Sequence, residues 1–451
     1  MNLVTRCVRS SVAALAATLA LLIVVLCVPR VAMGAAQRID RFDAYRGLYE
    51  VAPDHLVGID AFINDDGNPT MLYSDYQSGI VRRLFPGSDG EFVVGPNFNV
   101  PAPVELAVTF LRGDSDSVTG IRLRPTGAAQ STATRIALAR EEVAFQNGDA
   151  ELSGSLIVPD GNGPRPAIVL LHGSGPLTRY SFGPYPQFFA SLGFAVLIYD
   201  KRGTGASSGT RVDASTGRAM APGYYPEDLV NDALAALRLL QERRDIDSKR
   251  IGFWGSSEGG MLATQVAARS PDVAFAIDSS GFMGPLWQTT LYQVAAISRS
   301  YGATEQDIRE YVAFTRQWLD VARTGRGWDA FVERRKEMRR KNENVLFWSS
   351  GEFESVQEMR WYWDHVLSFS PLPALKNVKS PVLGIFGELD TSTEASVAAE
   401  NLRRTLMDAG NDDVTVRIVP GAGHSLSTAS GDRMASGVFD TLRSWLLARV
   451  H

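Results

Sequence analysis

The sequence contains very little cysteine. Its 451 residues include only two cysteines, Cys7 and Cys27, and both lie in the first 27 positions. The rest of the chain has no thiol. It therefore cannot contain a disulfide framework, a cysteine-ligated metal site or a catalytic cysteine.

Several cofactor motifs and any strong charge excess are also missing. There is no H-E-x-x-H segment, no EF-hand loop and no G-x-G-x-x-G after a predicted strand, so we expect no metal and no organic cofactor. The hydrophobic fraction of 45% is ordinary for a globular protein, which excludes a disordered or collagen-like chain.

Residues 1–34 have the order of a secretory signal peptide. Arg6 and Arg9 precede an apolar run over 12–28, and small residues follow around Gly34. This order predicts export to the periplasm or the medium. Because the run is almost long enough to span a bilayer, an uncleaved membrane anchor is the alternative.

The body that follows this segment is acidic. Residues 1–34 contain three arginines and no acidic residue, so removing them changes the net charge from −5 to −8. A net negative body argues against nucleic acid as a partner. We also expect no stable membrane association unless the N-terminal segment is retained.

Residues 37–125 show short β-type segments separated by turns. Asp66-Gly67 and Asp89-Gly90 are typical of hairpins between antiparallel strands. The pattern predicts a small antiparallel β domain, either a sandwich or an open barrel. Gly, Ala, Ser and Thr dominate residues 126–134, and we predict a linker over 126–140.

From residue 141 to 451, short apolar strands alternate with helices. This alternation predicts a mostly parallel sheet with helices on both faces. The predicted parallel strands are Ala167–Leu171, Phe194–Tyr199, Ile251–Trp254, Phe275–Ile277, Val382–Phe386 and Val414–Val419.

One segment interrupts the alternation of strands and helices. Residues 282–370 contain no convincing strand, yet they hold six of the eight tryptophans. We interpret this segment as a helical cap over one end of the sheet. Its tryptophans would either pack the cap or line an apolar substrate cavity.

The strongest chemical signal is Gly255-Ser256-Ser257-Glu258-Gly259. It follows a predicted strand and precedes a predicted helix, which places Ser257 on a sharp turn above a helix N-terminus. A serine hydroxyl is a weak nucleophile and needs a base, usually a histidine oriented by a carboxylate. The pattern therefore predicts Ser257 as the nucleophile of a catalytic triad.

The chain has only five histidines, and His424 is the best candidate for the base. It lies in a glycine-rich loop after the last predicted strand, at the edge where open parallel sheets bind ligands. His172 precedes Ser257 and is expected to shape its own loop, whereas His365 is expected to pack in the cap.

The acid is predicted after the penultimate strand. Asp390 lies where that strand enters a loop, with Glu388 and Glu394 as competitors. The order Ser257, Asp390, His424 differs from the orders of the chymotrypsin and subtilisin triads.

Two backbone amides are expected to bind the developing oxyanion. One would come from Glu258, directly after the nucleophile, and the other from Ser174, with Gly173 as the alternative. The Glu258 side chain is expected to do no more than cap the helix.

These residues together resemble the α/β-hydrolase superfamily, in its exported esterase and aminopeptidase-like branch. Asp390-Thr391 lacks the proline often found after the acid of this family. The resemblance covers residues 141–451 and leaves the β domain outside. Its motifs are His172-Gly173-Ser174-Gly175-Pro176, Tyr199-Asp200-Lys201-Arg202-Gly203-Thr204-Gly205, the Ser257 turn, Gly387–Asp390 and Gly423-His424. By this resemblance, the Asp200–Gly205 stretch is structural.

The sequence thus predicts an exported serine hydrolase that cleaves a carboxylic ester through an acyl-serine intermediate. A serine peptidase acting on short peptides is the first alternative, and acyl transfer in place of hydrolysis is compatible with the same residues. A binding protein that keeps the fold without activity is disfavoured, because all three triad positions are filled.

Overall fold

The computed structural model describes residues 39–63, 67–161, 163–211, 224–341 and 353–450. The signal peptide predicted over 1–34 lies outside these residues, as does Trp348 of the predicted cap. Across the described ranges, no helix is both long and apolar enough to cross a membrane.

The N-terminal domain is a closed barrel of antiparallel strands. Its strands are β1 (Gly47–Ala52), β2 (His55–Ile63), β3 (Pro69–Asp75), β4 (Val81–Pro86), β5 (Phe92–Val94), β6 (Leu106–Arg112), β7 (Val118–Pro125) and β8 (Ser131–Ile136). Each strand pairs with the next, and β8 pairs with β1. Apolar side chains such as Tyr49, Val57 and Val108 fill the interior with no exposure.

The stretch 126–140 is not the linker that its composition suggests. It contains β8, whose Ala133 is fully buried in the barrel. Without β8, the edges of β1 and β7 would be open, and open edges expose unpaired backbone groups. The β domain therefore extends to residue 136 and is a closed barrel, neither a sandwich nor an open barrel.

The second domain is built on one sheet of eight strands among the described residues. Its strands are β9 (Leu138–Asn147), β10 (Ala150–Pro159), β11 (Arg165–Leu171), β12 (Ala195–Tyr199), β13 (Ile246–Ser256), β14 (Ala276–Ser279), β15 (Val382–Gly387) and β16 (Val414–Val419). Their spatial order is β16-β15-β14-β13-β11-β12-β10-β9. Pairs from β16 to β12 are parallel, whereas β10 is antiparallel to both of its neighbours.

Helices cover both faces of this sheet, which confirms the predicted fold class. They are α1 (Tyr185–Ser191), α2 (Glu227–Gln241), α3 (Glu258–Arg269), α4 (Leu286–Ser300), α5 (Glu305–Thr324), α6 (Trp328–Lys341), α7 (Val356–Tyr362), α8 (Leu372–Leu375), α9 (Ala395–Asp408) and α10 (Val438–Val450). Successive side chains of β11 point to opposite faces. Val169 and Leu171 join the core containing α2 and α3, whereas Leu170 joins the core containing α1 and α10.

The cap predicted over 282–370 is present between β14 and β15, with α4 to α7 as its longer helices. Trp318 is 4% exposed and stacks on Phe353. Trp361 stacks on His365 with ring centroids 4.4 Å apart, and Tyr224 covers the other face of that histidine at 4.5 Å. These aromatic rings pack the cap and its junction with the sheet.

The barrel packs on the sheet face that carries α1 and α10. The Tyr76 hydroxyl donates to the Pro184 carbonyl at 3.0 Å, and the Arg82 Nε donates to the Asp432 carbonyl at 3.1 Å. A cavity of about 1090 Å³ runs along this junction. None of the predicted triad residues lines it, so we do not assign it to the substrate.

Candidate active site

Ser257 occupies a strained turn between β13 and α3. Its backbone has φ 59° and ψ −122°, a combination that residues other than glycine rarely adopt. The Ser257 N–H donates to the Ser279 carbonyl at 2.8 Å, and α3 begins at the next residue. Ser257 therefore lies at the carboxyl edge of the sheet, at the positive end of a helix dipole.

Two glycines make this turn possible. A Cβ on Gly255 would lie 2.1 Å from the backbone of Gly259, and a Cβ on Gly259 would lie 2.1 Å from the Leu171 carbonyl oxygen. No side chain fits at these distances. The glycines of the G-x-S-x-G pattern thus mark close backbone approaches on both sides of the serine.

Asp390 and His424 form a direct hydrogen bond. The His424 Nδ1 lies 2.7 Å from the Asp390 Oδ2. The other carboxylate oxygen, Oδ1, accepts the backbone N–H groups of Ser392 at 2.7 Å and Thr393 at 2.8 Å. The carboxylate is 0% exposed, so it is held in one orientation against the imidazole.

The competing acids are placed differently. Glu388 is exposed, and its Oε2 accepts the Gly421 N–H at 2.9 Å. Glu394 is exposed at the start of α9. Of the three predicted acids, Asp390 is the one that contacts His424.

Ser257 shares its edge of the sheet with this pair. Ser257 follows β13, Asp390 follows β15 and His424 follows β16, with β14 between β13 and β15. The register pairs Ser256 with Ser279 and Ser279 with Ile385, so the carboxyl ends of these strands are level. The structure thus brings all three predicted residues to one edge, as parallel strands require.

Asp278 is a further acid at this edge, and the sequence analysis did not single it out. It is the last residue but one of β14, is fully buried and accepts the Gly281 N–H at 2.7 Å through Oδ1. Burial raises the pKa of Asp278 to about 7, against the opposing effects of this hydrogen bond and the nearby His424.

This raised pKa predicts a pH-dependent stability. The pKa in the folded state, about 7, exceeds the reference value of 3.8, so the folded protein holds this proton to higher pH than the unfolded chain. The stabilisation is complete below pH about 4 and is lost as the pH rises through 7. Because an asparagine side chain cannot ionise, Asp278→Asn should stabilise the protein at pH 8 by up to about 4 kcal/mol and change little at pH 4.

Denaturant unfolding at both pH values measures this effect, with the exposed Asp272→Asn as a matched control. Asp60 is also buried with a pKa of about 7, so the comparison is made between variants and wild type at each pH. An equal effect of Asp278→Asn at pH 4 and pH 8 would contradict the assignment.

The predicted oxyanion donors lie on two segments that meet at Ser257. A Cβ on Gly173 would lie 3.5 Å from the Ser257 Cβ, so the loop after β11 runs alongside the serine. Ser174, the next residue, is exposed, and Glu258 opens α3. Backbone amides from these segments can therefore approach one oxygen of a substrate bound at Ser257.

The Glu258 side chain takes part in a buried ion pair, which the sequence analysis did not anticipate. It is 3% exposed and forms an ion pair of 2.7 Å with Lys201. The Lys201 Nζ also donates to the Gly173 carbonyl at 2.8 Å. The only signal in the sequence was an acid next to the nucleophile together with a lysine after β12, and these two residues are 57 positions apart.

His172 has no place in the triad. Its ring is buried and lies over Phe182 with centroids 4.3 Å apart. Burial lowers its pKa well below the ordinary value, and the positive charge of Lys201 adds to the effect. The imidazole is therefore neutral, in keeping with a role in shaping the loop.

No group of three or more His, Cys, Asp or Glu side chains in the described ranges is arranged to hold a metal ion. What the arrangement at the sheet edge can supply is a hydroxyl, an imidazole with its carboxylate partner and two backbone amides. This is the set of groups that acyl transfer through a serine requires.

Comparisons with known proteins give several similarities. The chain is 36% identical to the esterase EstD of Thermotoga maritima over 126 residues, which are 26% of this chain and 28% of that esterase. It is 21% identical to the acylamino-acid-releasing enzyme of Rattus norvegicus over 401 residues, which are 86% of this chain and 47% of that enzyme. The chain thus spans less than half the length of either curated relative.

Solved structures give similarities at low identity. An esterase of Pyrococcus furiosus is 16% identical with a TM-score of 0.46, covering 70% of this chain and 92% of the esterase. An acylaminoacyl peptidase of Pyrococcus horikoshii is 17% identical with a TM-score of 0.44, covering 91% of this chain and 57% of the peptidase.

A family model gives the broadest assignment. The model of the alpha/beta hydrolase family matches residues 168–436, which is more than half of the chain. This span includes most of β11, all of β12 to β16, the turn at Ser257 and the loops of Asp390 and His424. The chain belongs to the alpha/beta hydrolase family.

Proposed function

We propose that this protein is an exported serine esterase that cleaves a carboxylic ester through an acyl-serine intermediate. The observation that carries the proposal is the 2.7 Å hydrogen bond between Asp390 and His424, at the same sheet edge as the strained Ser257 turn. The family and the relatives of this chain support the activity of a serine hydrolase. The ester bond, the triad roles and export are our proposals.

The first half of the reaction forms the acyl-enzyme. The Ser257 Oγ attacks the carbonyl carbon while His424 accepts its proton through Nε2. Asp390 holds Nδ1 and stabilises the imidazolium that forms. The carbonyl oxygen becomes an oxyanion bound by the Ser174 and Glu258 amides. When the tetrahedral intermediate collapses, the alcohol leaves with the proton that His424 returns.

The second half returns the enzyme to its starting state. Water attacks the acyl carbon and passes a proton to His424, and the same amides bind the oxyanion. The carboxylic acid then leaves as the Ser257 Oγ recovers the proton. No cofactor is required for these steps.

The N-terminal segment supports the exported location. The arginines near the start, the apolar run over 12–28 and the small residues after it have the order of a signal peptide. Fractionation of cells that produce the full chain tests this point. Recovery of full-length protein in the cytoplasmic fraction would contradict it.

A peptidase is the second candidate, and one observation favours it. The alignment with the rat acylamino-acid-releasing enzyme runs over 86% of this chain. An alignment of this length must include part of the barrel as well as the sheet domain. That relative's name describes release of acylated amino acids. We therefore retain cleavage of a short peptide as the alternative to cleavage of an ester.

Two measurements test the proposed function. Mass-spectrometric mapping after reaction with a fluorophosphonate should locate the label on Ser257, because the activated hydroxyl attacks phosphorus as it would a carbonyl. A label on another residue, or no label, would overturn the nucleophile assignment.

A substrate panel then separates the two candidates. We expect aryl esters of differing acyl length to be turned over with a higher kcat/KM than acylaminoacyl and aminoacyl anilides of matched size. A reversed preference would establish the peptidase, and turnover of neither class would contradict both candidates.

A further inference from the structure

A buried ion pair joins the two segments that carry the predicted oxyanion donors. Lys201 follows β12, and its side chain is 4% exposed, as against 3% for its partner Glu258. The Nζ lies 2.7 Å from the Glu258 Oε2 and donates to the Gly173 carbonyl at 2.8 Å. One ammonium group therefore links the start of α3 to the loop after β11.

The bond to Gly173 has a geometric consequence for the next residue. The Gly173 carbonyl and the Ser174 N–H belong to one planar peptide unit, in which they point in opposite directions. A carbonyl held by Lys201 therefore fixes the direction of the Ser174 N–H. The other contact of Lys201 holds the first residue of α3, whose own N–H is the second predicted donor.

We infer that Lys201 is a positioning residue of the oxyanion site, which it maintains by holding the Gly173–Ser174 peptide and Glu258 at a fixed separation. This inference rests on the proposed function. Lys201 does not touch the substrate; it acts through the two amides. The bond from Lys201 to the Gly173 carbonyl orients the Ser174 N–H. This bond therefore favours Ser174 over Gly173 as the second donor.

A neighbouring ion pair provides a matched comparison. Arg202, the next residue, pairs with Asp232 at 2.6 Å, and these side chains are 5% and 1% exposed. Arg202 also donates to the Asn147 carbonyl, so this pair secures the turn between β9 and β10. It resembles the Lys201 pair in burial and charge, but within the described part of the chain its further side-chain contacts are with Asn147 and Asp149 at this turn.

The test compares an ester with its thionoester. Sulfur is a weak hydrogen-bond acceptor, so a thionoester gains less from the amide donors than the oxygen ester does. In Lys201→Met/Glu258→Gln, which leaves no uncompensated buried charge, we expect kcat for the oxygen ester to fall by about 10- to 100-fold. KM should change little, and kcat for the thionoester should fall much less.

The controls separate positioning from general support of the fold. Rates are expressed per site titrated by the fluorophosphonate, so that unfolded protein does not count. Arg202→Met/Asp232→Asn should leave the ratio of ester to thionoester rates unchanged. Glu258→Gln alone, which keeps the bond from Lys201 to Gly173, should lose less than the double variant.

Each outcome decides the point. Equal losses for ester and thionoester in Lys201→Met/Glu258→Gln, or the same change of ratio in the Arg202 pair, would overturn the positioning role while leaving the esterase intact. Absence of labelling and turnover in the wild-type protein would overturn the proposed function, and the inference with it.

Discussion

Replacing Ser257 by alanine should reduce kcat for an aryl ester by about 10⁶-fold. The Oγ is the only non-hydrogen atom that this change removes, and without it the acyl-enzyme cannot form. The amides of Ser174 and Glu258 remain and can still bind an oxyanion formed by attack of water. A residual rate about 10³ to 10⁴ above the uncatalysed reaction is therefore expected.

Ser256 provides the control for this change. It precedes Ser257, ends β13 and pairs in register with Ser279 of the neighbouring strand. Ser256→Ala removes the same group one residue away and should stay within about threefold of the wild type. Comparable losses in both variants would point to damage to the turn and would contradict the role of Ser257.

Replacing Asp390 by asparagine should reduce kcat by about 10⁴-fold and leave the fold intact. The oxygen of the new amide can still accept the Ser392 and Thr393 N–H groups, which now bond Oδ1 at 2.7 and 2.8 Å. The amide nitrogen at the other position donates where the carboxylate accepts, so it favours the wrong tautomer of His424. The substitution also removes the charge that stabilises the imidazolium.

Steady-state kinetics with thermal unfolding checks this expectation, and Glu388→Gln is the matched control. Glu388 contacts the Gly421 N–H in the loop before His424, so its replacement tests whether any nearby acid would produce the loss. We expect Glu388→Gln to retain most of the activity. A larger loss of activity in Glu388→Gln than in Asp390→Asn would indicate that Glu388, and not Asp390, is the acid of the triad.

The placement of the predicted residues follows from local signals. A strand, a glycine-flanked serine and a helix occur consecutively in the sequence, so the turn at Ser257 could be located without tertiary information. Asp390 and His424 each follow an apolar strand, and parallel strands bring their carboxyl ends to one edge. Local pattern together with strand direction was therefore enough to predict that these three side chains lie at one edge of the sheet.

Contacts between distant segments could not be predicted in the same way. Lys201 and Glu258 meet because β12 and β13 flank β11, an order that the sequence does not reveal. The burial that raises the pKa of Asp278 depends on close packing against Gly260 and Gly281. Each of these effects requires knowledge of which strands are neighbours.

The barrel illustrates a different limit. The composition of residues 126–134 favours a flexible linker, yet β8 is ordered because it closes the barrel between β1 and β7. The segment is stabilised because it pairs with the open edges of β1 and β7 at the same time. This pairing depends mainly on the length and position of the segment. Composition alone does not contain this requirement.

The contact between the barrel and the loop after His424 bears on when the enzyme gains activity. Gly79 and Arg82 of the barrel bond the backbone of Met434 and Asp432, ten and eight residues beyond the histidine. The barrel thus secures a segment that follows every strand of the sheet in the sequence. Domains generally fold as units, N-terminal first, during synthesis. The barrel would then be folded before this loop is synthesised, and Ser257 would be joined by His424 at the sheet edge only after β16 has emerged.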